Sequence, residues 1–414
     1  MLDINLIRNK TEEIKQKLLK RMKEEDLDLV TIIELDDQRR ELLQEVEVAK
    51  AMRNVGSKTK PTPEVIAEMK KIGESIKEIE GKLTKVETEL NEKMAELPNI
   101  TADDVVAGGK ENNKVIKTFG DKPEFGFTPK DHVELATSLG LVDYERGVKM
   151  SGSGYWVYTG DGALLEWALL NYFIEFHRQN NYTFVLPPYV LTEESAYISG
   201  HLPKFRDDLF WTQDNTCLNA TSEMMMGNFH RNEVLNAENL PLKYFSYSAC
   251  FRREAGSYRK EERGMIRGHQ FNKIEMFQFT KPENSWMAFD KLLRNAEKLV
   301  EGLGLHYQTS QLAAGDSSFA MSKTCDIEVW IPSMEVYKEV SSASNALDYQ
   351  SRRGNIRFKN VESSKNEFVH TLNASGLATS RLIPAILEQF QEKDGSVRVP
   401  EVLVKFLGKE VLNV

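Results

Sequence analysis

Eight apolar residues recur in alternating steps of four and three, and this spacing restricts the fold of the first part of the chain more than any other feature. It is the heptad pattern of a helix whose apolar stripe packs against another helix. The eight positions are Val65, Met69, Ile72, Ile76, Ile79, Leu83, Val86 and Leu90. We therefore predict a continuous helix from Glu64 to Leu97, about 50 Å long at about 1.5 Å per residue.

A second series with the same spacing precedes this helix. Arg39 interrupts it where an apolar residue is due. Its apolar members are Ile32, Leu35, Leu42, Val46 and Ala49. Between the two series lies the segment GSKTKPTP, from Gly56 to Pro63, whose prolines and glycine interrupt a helix and reverse the chain. The sequence thus predicts an antiparallel coiled-coil hairpin over residues 1–100.

Such an arm serves as a dimerisation device, as a spacer or as a binding surface, and the spacing alone leaves this choice open. Four basic residues on the first helix and near the predicted tip are candidates for phosphate contacts: Lys50, Arg53, Lys58 and Lys60. A charge run is most often a solvated face. The net charge of −9 disfavours nonspecific binding of polyanions, so any contact with nucleic acid must be confined to a local basic surface.

The composition argues against a disordered protein, a membrane protein and a disulfide-rich protein. Of the 414 residues, 41% are hydrophobic and 28% charged, which excludes a largely disordered chain. No apolar run approaches the roughly 18 residues of a membrane span, and the opening segment carries charges where a signal peptide is apolar. The three cysteines have no CxxC spacing, which argues against a disulfide framework and a structural zinc cluster. We expect a cytoplasmic protein with reduced cysteines and no membrane contact.

The remainder of the chain has the pattern of a mixed sheet with helices. Pro98 ends the arm, the turn-forming segment 101–113 is predicted to be a linker, and residues 114–414 form the body. We predict a helix from Ala163 to Gln179 and a short strand from Thr183 to Leu186. Apolar and polar residues alternate as in half-buried antiparallel strands at Lys243 to Phe251, Asn272 to Thr280, Cys325 to Ile331 and Val336 to Val340. The predicted fold class is α+β, with a mainly antiparallel sheet.

Two segments of the body carry candidate chemistry. In the first, alternation along a strand is expected to put Arg252 and Glu254 on one face, where an arginine clamps a carboxylate or phosphate and a glutamate accepts from an amine. A cross-strand ladder of ion pairs explains the same spacing more simply. In the second, a small-residue turn at Ala374 to Gly376 is expected to precede a helix, and Arg381 there could pair with a polyphosphate. Taken alone, a glycine-containing helix start with an exposed arginine explains the second segment better.

Taken together, the motifs resemble those of class II aminoacyl-tRNA synthetases. FRREAG with RGMIRGHQF is similar to motif 2 of that class, GLATSR to motif 3, and the helix and strand before Pro187 to motif 1. Within the class the chain resembles the seryl-tRNA synthetases over nearly its whole length. The segments that carry this resemblance are LPKFRDDLF, the Thr221-Ser222-Glu223 triplet, KTCDIEVWIP, YKEVSSASNALDYQSRR, HTLNASGLA and DGSVRVPEVL.

The resemblance implies an ATP-dependent serine–tRNA ligase and a role for five residues in binding L-serine. Thr221 and Glu223 would hold the α-ammonium group, for which a hydroxyl and an anion are suitable acceptors. Arg252 would grip the serine carboxylate and the α-phosphate of ATP. The serine hydroxyl is expected to meet Glu275 and Ser375.

The resemblance also implies the ATP contacts. Glu254 would accept a hydrogen bond from the adenine amino group, and Phe271 would stack on the adenine ring. Arg267 and Arg381 would hold the bent triphosphate. Arg252 and Arg381 are the implied catalytic residues, which act by positioning and by neutralising charge.

The metal and the larger partners follow from the same resemblance. Glu339 and Ser342 would bind Mg²⁺, which bridges phosphate oxygens. No zinc is expected, because no group of cysteine and histidine residues suggests a zinc site. The arm would bind tRNA(Ser), with tRNA(Sec) as a further acceptor, and the segment that resembles motif 1 would form a homodimer interface.

The chain departs from the family pattern at several positions. Ala220 stands where the family usually has proline, and Met224 to Met226 replace a different apolar stretch, so the sequence leaves the shape of the ammonium site open. Cys325 replaces a common tyrosine, and Gly268 replaces a larger residue; we expect both to be packing changes. Two alternatives to an active tRNA ligase are a noncatalytic dimeric relative and a ligase that loads a carrier protein. The first should have lost Arg252, Arg381, Glu339 or Glu223, and the second lacks the arm. The chain retains all four residues and the arm.

Overall fold

The computed structural model describes residues 1–56, 62–255, 264–360 and 363–413, which fall into two compact units, Met1–Ile100 and Thr101–Val414. The first unit is helical. Its helices are α1 Ile4–Asn9, α2 Thr11–Leu18, α3 Leu29–Gly56 and α4 Pro63–Ala95. Lys58 and Lys60, predicted near the tip of the arm, lie outside the described residues.

Helices α3 and α4 pack along each other in opposite directions. Lys50 on α3 pairs with Glu80 on α4, and Gly56 at the end of α3 lies against Met69 near the start of α4. The eight residues of the predicted heptad seam are all buried or half-buried, whereas most positions between them on α4 are exposed. Thr62 caps α4 by accepting a hydrogen bond from the Val65 amide. The helical hairpin predicted from the spacing is therefore confirmed.

The arginine that interrupts the seam of α3 has a structural explanation. Arg39 pairs with Asp36, whose side chain is fully buried and contacts two further arginines. The distances to Asp36 oxygens are 3.2 Å from Arg8, 2.6 Å from Arg39 and 2.8 Å from Arg40. Arg8 also contacts the exposed Asp37. The ion pair between the buried Asp36 and Arg8 thus links α3 to α1.

We expect Asp36→Asn to lower the free energy of unfolding of the first unit by about 2 kcal/mol, because the arginines lose their buried counter-charge while remaining partly solvated. Chemical denaturation of the full-length protein, followed by circular dichroism, measures this change. Asp37→Asn is the matched control, since Asp37 is half exposed and contacts only one of these arginines. Equal stability of the two variants would contradict the role given to Asp36.

The second unit is built on an eight-stranded sheet in the order β1, β10, β11, β12, β15, β9, β8, β4. The strands of the unit are β1 Lys114–Phe119, β2 Val142–Asp143, β3 Val157–Tyr158, β4 Thr183–Val185, β5 Val190–Thr192, β6 Thr216–Leu218, β7 Val234–Asn236, β8 Leu242–Phe251, β9 Gln270–Thr280, β10 Tyr307–Gln311, β11 Lys323–Ile331, β12 Val336–Leu347, β13 Arg357–Lys359, β14 Asn366–Phe368, β15 His370–Ala378, β16 Val397–Arg398 and β17 Val411–Leu412. All neighbours in the large sheet are antiparallel except the edge strand β4, which is parallel to β8. The predicted α+β class with a mainly antiparallel sheet is confirmed.

Helices cover this sheet and enclose the main hydrophobic core. They are α5 His132–Ser138, α6 Tyr144–Ser151, α7 Asp161–Gln179, α8 Glu193–Ile198, α9 Glu223–Met226, α10 Ser285–Gly302, α11 Tyr349–Gly354, α12 Thr379–Gln389 and α13 Glu401–Leu407. The core combines the inward faces of α7, α10 and α12 with those of the central strands. Across the described ranges, the structure contains no helix that is both long and apolar enough to cross a membrane.

The segment predicted to be a linker, residues 101–113, runs along the second unit. Ala102 donates its amide to the carbonyl of Ser322, and the carbonyls of Val106 and Gly108 accept from Ala314 and Gly315. Thr101 is fully buried. The turn-forming composition therefore reflects an irregular path held by backbone hydrogen bonds.

The small-residue turn expected at Ala374 to Gly376 is wrong, because these residues lie inside strand β15 and α12 begins only at Thr379. Glycine is needed here for a different reason. His177 of α7 approaches the strand and its Nε2 lies 3.0 Å from the Gly376 carbonyl, and a Cβ at Gly376 would lie 2.3 Å from that nitrogen. The absence of a side chain lets helix α7 pack against the strand that carries Ser375.

Candidate active site

Three adjoining cavities open over the face of the large sheet and contain all eleven residues singled out from the sequence. The largest, which we call the activation cavity, has a volume of about 590 Å³. A second, the side cavity, measures about 310 Å³, and a third of about 40 Å³ lies beside Phe271. Arg252 and Arg267 line all three cavities. The activation cavity holds Thr221, Glu223, Arg252, Arg267, Glu275, Glu339, Ser342, Ser375 and Arg381, while Glu254 lines the two smaller cavities and Phe271 the smallest.

One end of the activation cavity is a buried cluster of hydrogen-bonded polar groups. The Lys273 ammonium group donates to Thr221 Oγ1 at 2.7 Å and lies 2.6 Å from Glu275 Oε2. The Asn373 amide donates to Glu275 Oε1 at 3.1 Å and to Glu223 Oε2 at 3.2 Å. All five side chains are buried. The cluster presents two carboxylates, of which one, Glu275, already has a cation against it.

Adjacent strands bring the proposed hydroxyl contacts together. Glu275 on β9 and Ser375 on β15 are direct partners in the antiparallel register. Side chains of such partners lie on the same face of a sheet, about 5 Å apart at Cβ. Residues 100 positions apart in the sequence are thus neighbours at the buried end of the cavity.

Glu223 stands at the start of α9 and has an unusual titration. Burial, with repulsion from Glu275, raises the pKa of Glu223 to about 7. Gln350 donates to its Oε1 at 2.7 Å and Asn373 to its Oε2. The carboxylate is therefore oriented by two amides but lacks full charge compensation, which suits it to accept a cationic ligand.

The three methionines after Glu223 point away from this cluster. Met224 packs in a small hydrophobic cluster with Leu191 and Leu202, and Met226 packs with Phe277 and Phe279. All three methionine side chains are buried, and none of them lines the activation cavity. The change at Met224 to Met226 from the family pattern therefore alters the packing behind the site. It does not alter the side chains that line the activation cavity.

Arg252 and Phe271 form the boundary between the cavities. The Arg252 guanidinium carbon lies 5.2 Å from the centre of the Phe271 ring, and its Nε donates to the Ala220 carbonyl at 3.3 Å. Within the residues that the structure describes, Arg252 forms no ion pair. Its terminal amino groups are thus available to an anion in the activation cavity.

The predicted strand alternation of Arg252 and Glu254 is wrong, because β8 ends at Phe251. Glu254 adopts a left-handed conformation with φ of +52°, which is uncommon for a residue with a side chain. Its carboxylate accepts from Arg267 Nε at 2.6 Å. The two residues nevertheless reach the same cavities, because the turn after the strand aims both side chains back over the sheet.

Arg381 lies in the first turn of α12 and lines both the activation cavity and the smallest cavity. It donates to the carbonyls of Ile266 at 3.2 Å and Glu339 at 2.8 Å, and its Nη1 lies 3.4 Å from Glu339 Oε2. These contacts fix the guanidinium plane between β12 and the segment before β9. Arg381 and Arg252 thus face the cavity from different elements.

An acidic group that the sequence did not single out lies beside Glu339 and Ser342. Asp326 on β11 is the register partner of Ser342 on β12 and is hydrogen-bonded to its side chain. Burial and repulsion from Glu339 raise the pKa of Asp326 well above its usual range, and among the described residues its Oδ1 has no hydrogen-bond partner. A cation bound next to Glu339 and Asp326 would therefore reduce the repulsion between these two carboxyl groups.

The departure at Gly268 follows from packing. A Cβ at this position would lie 2.2 Å from the ring of Trp156, which fills the space beside the residue. All three cysteines are free and buried, and Cys325 belongs to the main hydrophobic core. Among the described side chains, no group of three or more His, Cys, Asp or Glu is arranged to hold a metal ion.

Sequence reasoning missed four residues that shape the cluster around Glu223 and Glu275. Lys273 could have been found, because it precedes Glu275 by two positions in the same strand and so shares its face. Asn373 stands in the same relation to Ser375. His201 and Gln350 carry no local signal, since each reaches the site through a contact with a distant segment.

Comparison with known proteins shows similarity along the whole chain. A family model described as the seryl-tRNA synthetase N-terminal domain matches residues 1–101, and one described as the tRNA synthetase class II core domain (G, H, P, S and T) matches residues 205–390. The chain is 54% identical to serine–tRNA ligase 2 of Clostridium acetobutylicum, with 100% of both chains covered. It is 45% identical to serine–tRNA ligase of Geobacter sulfurreducens, with 99% of each covered.

Solved structures show the same similarity. The crystal structure of seryl-tRNA synthetase from Pyrococcus horikoshii complexed with ATP matches with a TM-score of 0.92 and 34% identity, over 100% of this chain and 99% of that one. Both the helical unit and the sheet unit of this chain are therefore included in the match.

Proposed function

Because the chain belongs to the seryl-tRNA synthetase family of class II aminoacyl-tRNA synthetases, we propose that its three cavities join L-serine to tRNA in two steps. In the first step, serine and ATP give seryl-adenylate and pyrophosphate. In the second, the serine passes to the 3′ end of tRNA(Ser), with tRNA(Sec) as a further acceptor. The observation that carries the proposal is the convergence of all eleven residues on adjoining cavities over one sheet face.

Serine binds at the buried end of the activation cavity. Its α-ammonium group goes to Glu223 and Thr221, because Glu223 lacks full charge compensation whereas Glu275 is already paired with Lys273 at 2.6 Å. Glu275 acts instead as a hydrogen-bond acceptor for the serine hydroxyl, together with Ser375. A buried site that pairs a hydroxyl discriminates against amino acids that lack one.

ATP binds over the outer part of the same sheet face. Adenine stacks on Phe271, and Glu254 accepts from the adenine amino group while Arg267 keeps the glutamate oriented. Arg381 and Arg267 hold the triphosphate. Arg252, which lies against Phe271, contacts both the serine carboxylate and the α-phosphate and so joins the two substrates.

In the first step an oxygen of the serine carboxylate forms a bond to the α-phosphorus, and the bond from that phosphorus to the bridging oxygen of pyrophosphate breaks. Pyrophosphate leaves with the bonding electron pair. A carboxylate is ionised at neutral pH, so this step needs no catalytic base. The contribution of Arg252 and Arg381 is to align the reacting atoms and neutralise their charge.

The residues around Glu339 fit a Mg²⁺ ion that arrives with ATP. Beside Glu339, Asp326 has a raised pKa and a buried oxygen for which the described part of the chain offers no hydrogen-bond partner, and Ser342 adds a hydroxyl. Magnesium prefers one or two carboxylates together with substrate phosphates, which agrees with so few protein ligands. When bound, the ion would neutralise phosphate charge, and Glu339 and Ser342 would hold it.

The first unit is assigned to tRNA binding, and residues 1–100, 101–113 and 114–414 to arm, linker and catalytic domain. Support comes from the match of residues 1–101 to the family's N-terminal domain and from exposed Arg53 on α3. Lys50 contributes less charge than expected, since Glu80 neutralises it. We assign the enzyme to the cytoplasm.

A homodimer formed around α7 and the edge strand β4 accounts for apolar residues exposed there. Leu164 and Trp167 on α7 are each more than half exposed, as is Leu186, which follows β4. Large exposed apolar side chains that lie close together mark interaction surfaces. The edge position of β4 leaves its free side open to a second copy.

The exchange of labelled pyrophosphate into ATP tests the proposed function. We expect the exchange to depend on serine and to fall by up to about 10⁴-fold when alanine replaces serine, because the groups that pair the hydroxyl are then left unpaired. Reactions without an amino acid provide the background. Absence of serine-dependent exchange would refute the proposed function.

A further inference from the structure

A further cavity lies behind the large sheet, on the face opposite the activation cavity. On β9 the even-numbered Gln278 and Thr280 line it, whereas the odd-numbered Lys273 and Glu275 line the activation cavity. Successive side chains of a strand point to opposite faces, so the sheet separates the two cavities. This rear cavity, of about 160 Å³, is lined by Tyr182, Pro241, Lys243, Gln278, Thr280, Asn284, Met287, Ala288, Lys291 and Asn295.

Three adjacent strands build the floor of the rear cavity. Lys243 of β8 and Gln278 of β9 are direct partners in the antiparallel register, and Tyr182 immediately precedes the edge strand β4. Gln278 Nε2 donates to the Tyr182 hydroxyl at 2.6 Å, and the Lys243 ammonium group lies 5.6 Å from the centre of the Tyr182 ring. The floor therefore combines a held aromatic ring with a nearby cation.

Helix α10 and the residue before it form the roof. Its side chains recur at the spacing of three and four residues that puts them on one face of a helix, at Asn284, Met287, Ala288, Lys291 and Asn295. Met287 and Ala288 give this roof an apolar stretch between polar ends. Because Met287 and Lys291 are exposed, the cavity opens to solvent beside them.

The positive charge of the rear cavity is not compensated by the protein. Lys243 and Lys291 form no ion pair within the described part of the chain, and none of the described residues that line the cavity is acidic. Burial raises the pKa of the Tyr182 hydroxyl to about 12, so this group carries no negative charge at neutral pH. The cavity therefore offers two cations without an anion.

A buried hydroxyl adds an unused hydrogen-bonding group. Thr280 is only 1% exposed, and among the described residues its Oγ1 has no hydrogen-bond partner. Buried polar groups are almost always hydrogen-bonded, and a hydroxyl donates readily to a carboxylate oxygen. Thr280 lies on the same face of β9 as Gln278, at the floor of the rear cavity.

We propose that the rear cavity binds a small aromatic monocarboxylate. A cavity of this volume accommodates a benzene ring. The ring of the ligand packs between Tyr182 and Met287, and its carboxylate contacts Lys243 and Lys291. This site shares no residue with the serine and ATP sites, so its occupation is independent of the proposed function.

Ligand-observed NMR of the full-length protein, without serine or ATP, tests the site with benzoate as the probe. We expect saturation transfer to the benzoate ring and a Kd of about 1 mM. Benzamide keeps the ring but lacks the charge, and it should bind about tenfold more weakly. Acetate keeps the charge but lacks the ring, and it should also bind about tenfold more weakly. No binding of benzoate, or equal binding of benzoate and either comparison compound, would overturn the proposal.

Variants of single lysines locate the bound benzoate. Lys243→Met removes the half-buried cation at similar side-chain length, and we expect it to weaken benzoate binding about tenfold. Lys291→Met repeats the test at an exposed position of α10, should Lys243→Met fail to fold. Lys298→Met is the matched control, because Lys298 is exposed on the same helix and does not line the cavity. Equal Kd values for Lys291→Met and Lys298→Met would refute the rear cavity as the site.

Discussion

Replacing Arg252 by alanine is expected to lower serine-dependent pyrophosphate exchange by about 10³-fold, the loss typical of removing a group that stabilises charge in the transition state. Arg252 lies where the cavities meet, beside Phe271, and its terminal amino groups have no carboxylate partner among the described residues. It is therefore placed to hold the nucleophile and the phosphate under attack at the same time. Exchange kinetics at saturating ATP and serine measure the effect.

Two further variants sharpen this experiment. Arg252→Lys keeps the charge but loses the planar fork of donors, so we expect an intermediate loss. Arg253→Ala is the matched control, because the neighbouring side chain is exposed. If Arg252→Ala and Arg253→Ala gave similar rates, the role of Arg252 would have to be abandoned.

Glu223→Gln is expected to raise the KM for serine by about 100-fold, because the α-ammonium group loses the anion assigned to it in a buried site. Glutamine preserves the shape, but its amide would face the donating amides of Gln350 and Asn373. Exchange measured over a range of serine concentrations gives the KM. Glu194→Gln, at an exposed position, is the control and should leave the KM unchanged.

The same residue predicts a pH dependence. With a pKa of about 7, the Glu223 carboxyl group is mostly protonated below that pH and ionised above it. Since the ammonium ion binds the ionised form, the KM for serine should rise as the pH falls below about 7, approaching tenfold per unit. Glu223→Gln should remove this dependence, and an identical pH profile in both proteins would assign the titration to another group.

Much of the architecture follows from local pattern. The heptad series predicts α3 and α4, and the alternating segments predict β8, β9, β11 and β12, because burial on one face imposes its period on the sequence. The structure extends these strands by a few residues, most of all β12, which runs to Leu347. Residue spacing alone left the roles of the site residues open. Their roles were assigned from the resemblance of the surrounding motifs to a known family.

Local pattern failed where side chains depend on distant partners. The turn after β8 aims Glu254 into the cavities through a left-handed backbone that strand alternation does not anticipate. Gly376 is required by His177, which comes from a helix 199 positions earlier. Arg39 breaks the seam of α3 because Asp36 is buried beside it. In each case the conformation or residue type depends on a contact that the local sequence pattern does not reveal.

The sequence by itself determined the helical hairpin, the sheet and the residue types available for binding a charged substrate, because periodic burial and motif spacing are properties of short segments. Only the tertiary structure decided that Lys273 pairs with Glu275 and leaves Glu223 for the ammonium group, and that helix α10 covers a cavity beside Lys243. Charge compensation and desolvation depend on which side chains are buried together. They are therefore set by contacts between strands and helices that are far apart along the chain.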